Sequence, residues 1–125
     1  MANQKILVVE DDENTRNLYK TILGDAGFKV EVAVDGSEGL TKCRGGGYDL
    51  ILLDVMLPKM DGVALLCELK KTPPKLPNKN IYLLTNLAHD PIFKEAISLG
   101  AKDIIIKTDV NPDELVEKVK QILAV

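Results

Sequence analysis

Ile6-Leu7-Val8-Val9-Glu10-Asp11-Asp12 sets four consecutive apolar residues, three of them β-branched, directly before three carboxylates. An apolar run without alternation is what a parallel strand needs when both of its faces are covered. The same arrangement recurs at Leu50-Ile51-Leu52-Leu53 before Asp54, at Ile81-Tyr82-Leu83-Leu84 before Thr85-Asn86, and at Ile104-Ile105-Ile106 before Lys107-Thr108. A fifth run, Phe28 to Val34, alternates through Lys29 and Glu31 and therefore reads as an edge strand with one wet face.

Helical patterns separate the runs. Leu18, Tyr19, Ile22, Leu23 and Ala26 share one face of a first helix, punctuated by Gly24 and Gly27, with Asp12 or Asn14 as its N-cap. Glu38–Arg44 forms a second, closed by Gly45-Gly46-Gly47, and Gly62–Lys71 a third, stopped by Thr72-Pro73-Pro74-Lys75-Leu76-Pro77. A fourth runs from Asp90 to Gly100. The last is marked by Asn111 as N-cap, Pro112 at the first helical position and Glu114 at the capping-box position. Alternating strands and helices joined by right-handed crossovers predict an α/β fold, a three-layer, doubly wound, five-stranded parallel sheet. Ligands of such sheets bind beyond the carboxyl ends of the strands, where strand order reverses.

Composition narrows the class. The 125 residues make one domain, over positions 1–125, and 46% hydrophobic with 28% charged residues is ordinary globular composition. A net charge of −3 with scattered basic residues gives no footprint for a nucleic-acid backbone. Cys43 and Cys67 lack metal-ligand spacing and read as core filler, since the single histidine, His89, is remote. No apolar stretch approaches the roughly 18 residues of a membrane span, and Met1-Ala2-Asn3-Gln4-Lys5 carries no signal-peptide pattern. A cytoplasmic protein with reduced thiols is the expectation.

Glu10 and Asp11 after the first strand and Asp54 after the third would converge and repel one another. Lys107 supplies one compensating charge, and a divalent cation would supply the rest. All-oxygen ligands favour Mg²⁺, which commonly binds through one or two carboxylates and a phosphate. Phosphoryl oxygens could then be held by the metal, the Lys107 ammonium and the Thr85 hydroxyl.

Together with Asp54-Val55-Met56-Leu57-Pro58-Lys59-Met60-Asp61-Gly62, Leu83-Leu84-Thr85, Gly100-Ala101-Lys102-Asp103 and Ile106-Lys107, the opening stretch resembles the receiver domain of two-component response regulators. The resemblance covers essentially the whole chain and implies the flavodoxin-like strand order 2-1-3-4-5. It implies that Asp54 accepts a phosphoryl group from a histidine kinase or phosphotransfer protein, with Thr85 as switch hydroxyl and Lys107 as the family's lysine. It further implies Mg²⁺ at Asp11, Glu10, Asp54 and the Met56 backbone carbonyl. The chain stops after the fifth helix, so a stand-alone regulator is expected, acting through an unknown downstream protein and binding neither DNA nor membrane directly.

Two other readings compete. An aspartate-nucleophile phosphatase usually carries a second Asp two residues after the nucleophile, where this chain has Met56; a binding module that has lost phosphorylation has no need of all five site residues. The expectation is therefore a phospho-acceptor that is not an enzyme beyond self-phosphorylation and slow self-dephosphorylation. Three positions depart from the family pattern. Ile104 replaces the usual aromatic, Thr108 the usual proline, which predicts a trans Lys107–Thr108 peptide, and Asn86 a small residue. Met56 and Leu87, at positions that usually tune hydrolysis in the family, cannot hydrogen-bond a water.

Overall fold

In the computed structural model, which describes residues 4–86 and 90–124, Lys5–Val9 (β1), Lys29–Ala33 (β2), Leu50–Asp54 (β3), Ile81–Thr85 (β4) and Asp103–Ile106 (β5) form one parallel sheet. Its order is β2-β1-β3-β4-β5. The expected doubly wound topology is therefore present, with its reversal point between β1 and β3. Register aligns the carboxyl ends: Val9 pairs with Leu53, Asp54 with Leu84 and Thr85 with Ile106.

The central runs are covered on both faces because successive side chains alternate. Leu7, Val9, Ile51, Leu53 and Leu83 meet Leu40 and Cys43 of α2 (Gly36–Gly45), Leu65, Leu66 and Leu69 of α3 (Gly62–Lys71) and Ala96 of α4 (Asp90–Ser98). Ile6, Val8, Leu50, Leu52, Leu84 and Ile105 meet Tyr19 and Leu23 of α1 (Glu13–Asp25) and Leu115, Val119 and Leu123 of α5 (Pro112–Leu123). β2 lies at one edge, as its alternation indicates. β5 forms the other edge, as the order 2-1-3-4-5 implies, but its unalternating run is not covered throughout: a single neighbouring strand and its flanking helices bury Ile105 and leave Ile104 and Ile106 half-buried.

Helix ends follow local chemistry. Asp12, not Asn14, caps α1, its carboxylate accepting from the Thr15 N–H at 2.9 Å and the Thr15 hydroxyl at 2.6 Å. α2 begins two residues before the expected Glu38, because Asp35 accepts from the Glu38 N–H at 2.8 Å. α4 stops at Ser98 rather than Gly100. α3 has the expected bounds, and the Asn111–Glu114 capping box of α5 is complete. A 3₁₀ turn, Lys107–Asp109, follows β5, and the Lys107–Thr108 peptide is trans. Cys43 is buried as expected, but Cys67 is exposed, since the inward stripe of α3 is Leu65, Leu66 and Leu69 and Cys67 falls outside it.

Candidate functional site: an acidic pocket closed by a lysine

Glu10 immediately follows β1, Asp54 and Thr85 are the last residues of β3 and β4, and Lys107 opens the turn after β5. The aligned register therefore delivers four chemistry-bearing side chains to one end of the sheet. Glu10, Asp54 and Thr85 are 1%, 5% and 6% exposed. Two carboxylates so deeply buried need a cation. The Lys107 ammonium donates to Asp54 Oδ2 at 2.8 Å and to Glu10 Oε1, bridging both.

Main-chain donors take up the remaining oxygens. The Asp12 N–H donates to Glu10 Oε2 at 3.1 Å, and the Met56 N–H donates to Asp54 Oδ1 at 3.1 Å. Burial, reinforced by the neighbouring Asp54, raises Glu10 to about 7 against the opposing pull of Lys107. Burial alone would lower Lys107, but its bonds to Asp54 and Glu10 outweigh this and hold it above the usual lysine range. The lysine therefore stays charged at neutral pH.

Asp11 completes the acidic set from an exposed position: carboxylate oxygens of Glu10, Asp11 and Asp54 lie within 4.8 Å of one another. Three oxygen donors at that spacing, open to water on the Asp11 side, suit a hard, partly hydrated divalent cation and not a soft metal. These residues would hold Mg²⁺. They line a cleft of about 760 Å³ that also includes Thr85, Asn86, Lys107 and Thr108. The pocket thus joins every side chain singled out from the strand ends. Met56 is anchored to it through its N–H, while its side chain is 74% exposed. Leu87 lies outside the described residues.

Strand-end logic does not reveal Arg16. Its Nη1 donates to the main-chain carbonyls of Glu10 at 3.1 Å and Asp11 at 3.2 Å, tying the two acidic residues to the first turn of α1. On the far side of the pocket, the loop from Val55 to Asp61 is pressed between two glycines. A Cβ on Gly62 would lie 2.7 Å from the Asp54 carbonyl oxygen, and one on Gly36 would lie 1.7 Å from that of Met60. Within this loop Lys59 takes φ +67°, and its ammonium pairs with Asp35 at 3.3 Å.

A reversal-point acidic pocket bridged by a strand-end lysine, on a 2-1-3-4-5 sheet, defines a receiver module of phosphorylation-based signalling. The chain belongs to the response regulator receiver domain family, whose model matches residues 6–120. It is 40% identical over 123 residues to the alkaline phosphatase synthesis transcriptional regulatory protein PhoP of Bacillus subtilis, covering 97% of this chain and 49% of that protein. The DltR transcriptional regulatory protein of Streptococcus agalactiae is 34% identical over 116 residues, 93% of this chain and 50% of its own. The chain thus spans about half the length of the curated relatives it matches.

Solved structures agree. A CheY-like receiver domain protein from Methanospirillum hungatei superposes with TM-score 0.83 at 34% identity, covering 97% of this chain and 94% of that one. Chemotaxis protein CheY4 of Vibrio cholerae gives TM-score 0.82 at 30% identity, covering 96% and 98%. Aspartate phosphorylation and Mg²⁺ at an acidic pocket are general features of the family, which works with histidine kinases and downstream targets and is not a class of catalytic enzyme. Among the described residues, no helix is long and apolar enough to cross a membrane.

Proposed function

We propose that this domain is a Mg²⁺-dependent phospho-acceptor that takes its phosphoryl group on Asp54 from a phosphohistidine of a kinase or phosphotransfer protein. The observation that carries the reading is the Lys107 ammonium held between Asp54 and Glu10. A carboxylate oxygen of Asp54 attacks phosphorus, the new O–P bond forming as the N–P bond to the donor imidazole breaks, and the imidazole nitrogen keeps the electron pair. Asp54 is prepared for this by its two hydrogen bonds, which fix the carboxylate without blocking the open Asp11 side. Bound Mg²⁺ would neutralise the phosphoryl oxygens, with Glu10, Asp11, Asp54 and the Met56 carbonyl as its protein ligands. Lys107 passes from the Asp54 carboxylate to a phosphoryl oxygen, and Thr85, at the end of the neighbouring strand, donates its hydroxyl to another.

Output is proposed to run through protein contacts, without direct binding to DNA. Ile104 is half-buried against the core and has neither ring nor hydroxyl to exchange, so the signal from Thr85 travels by shifts of the loops after β4 and β5. The stand-alone reading belongs to the same proposal. The intact mass of the protein isolated from its source tests that part.

Incubation with acetyl phosphate and Mg²⁺, followed by intact mass, tests the acceptor. A single phosphoryl adduct that disappears in Asp54→Asn is expected; no adduct, or one that survives the substitution, overturns the assignment. The apolar Met56 side chain places no hydrogen-bonding group near an attacking water, so the adduct should be long-lived and Met56→Asn should shorten its lifetime. Equal decay rates for the two proteins would remove Met56 as the limiting residue.

A further inference from the structure

At the opposite end of the sheet from the acidic pocket, a groove of about 480 Å³ opens between the carboxyl end of α3, the loop 72–80 and the end of α4. Its walls are Leu66, Leu69, Pro73, Pro77, Ile81 and Ile97, and Lys70 is the one charged residue among its lining. Ile97 is 39% exposed. Three prolines in the loop limit its backbone freedom, so this apolar surface is held open in the folded domain.

The charge around the groove is one-sided. Residues 70–80 carry four of the chain's 16 basic residues and none of its 19 acidic ones, in a protein whose net charge is −3. Among the described residues, Lys70, Lys75 and Lys102 make no carboxylate pair: Lys70 donates to the Ser98 carbonyl across the groove at 3.3 Å, and Lys102 to Asn80. Lys71 pairs with Glu68 and Lys79 with Asp49, while Glu95 lies beside Ser98 and Asp103 follows Lys102 in sequence. Helix-end lysines ordinarily complement the α3 dipole, but Lys75 and Lys102 stand on loops and have no such role.

We infer that this groove docks an acidic, amphipathic segment of a partner protein, apolar side chains entering between α3 and α4 and carboxylates meeting Lys70, Lys75 and Lys102. An apolar floor supplies affinity, and the cationic rim supplies orientation and selects against basic or neutral apolar peptides.

Panning a random peptide library on the 125-residue domain, then titrating an enriched peptide into the ¹⁵N-labelled protein, tests this. Enriched peptides should combine Asp or Glu with large apolar residues, and amide shifts should centre on Leu66, Leu69, Ile97 and Leu99. The double variant Lys70→Glu, Lys75→Glu should weaken binding by roughly tenfold, and raised salt should weaken it in the wild type. Ile97→Asp should abolish it, with the melting temperature and acetyl phosphate labelling unchanged. No enrichment, peptides without acidic residues, shifts elsewhere, or undiminished affinity after charge reversal would each overturn the inference. So would sedimentation with phosphatidylserine vesicles in the absence of peptide binding, which would assign the rim to a lipid surface.

Discussion

Glu10, Asp54, Thr85 and Lys107 were legible from the sequence because each follows an apolar run, and parallel strands bring such residues to one edge. Arg16 was not, because it acts on main-chain carbonyls, and no pattern of side-chain types records where a carbonyl points. Its position distinguishes it from Lys107. The lysine occupies oxygens that a cation would use, whereas the guanidinium fixes the Glu10 and Asp11 backbone and leaves their carboxylates available. Arg16→Ala is therefore expected to weaken Mg²⁺ affinity about tenfold, comparable to loss of an outer-shell partner, with Arg16→Lys in between. Calorimetric titration checks this, and a melting temperature close to wild type separates loosened positioning from unfolding. Equal Mg²⁺ affinities would show that the β1–α1 loop holds its shape unaided.

At the level of elements, helices announced themselves best where a cap and an apolar stripe coincide, as at Asn111 ahead of α5. Lateral order is less visible in the residue pattern itself: the Ile104–Ile106 run resembles a central strand, and its place at the edge follows from the family's strand order, which the pairing of β5 with β4 alone bears out. The other edge is secured by a polar cluster. The Tyr48 hydroxyl donates to Glu31 of β2 at 2.7 Å, and Lys5 of β1 pairs with the same carboxylate at 3.3 Å. The Tyr48 bond and then Lys5 hold Glu31 below the usual carboxylate range. A depressed carboxylate stabilises the fold above its unfolded pKa, and the contribution is lost as pH falls through the lower folded value. Tyr48→Phe should accordingly be less stable than wild type at neutral pH, the gap narrowing below about pH 4. Urea unfolding at several pH values checks it, and a gap independent of pH would assign the effect to packing alone.

Over the whole molecule, the two helices α2 and α3 on one sheet face give their cysteines different fates, Cys43 turning towards the sheet and Cys67 away from it. Burial in the α2–α3 layer pushes the Cys43 thiol up to about 12, whereas Cys67 faces water. A thiol reagent at neutral pH should modify one cysteine of the native protein quickly and the second only after denaturation; Cys67→Ser should remove the fast phase. Two fast thiols would mean that the layer opens readily. The Met60 carbonyl that closes over Gly36 has a consequence for the variation this fold can accept. Gly24 and Gly45 have no atom within 4 Å of a would-be Cβ, so alanine should be admitted there, whereas any side chain at position 36 collides with backbone. A saturation library selected for Asp54 labelling should therefore retain glycine alone at 36 and a broad spectrum at 24 and 45. Position 36, though remote from phosphorus in sequence, would rank among the least substitutable in the chain, and variants in the acceptor loop would be filtered through α2 before chemistry could act on them.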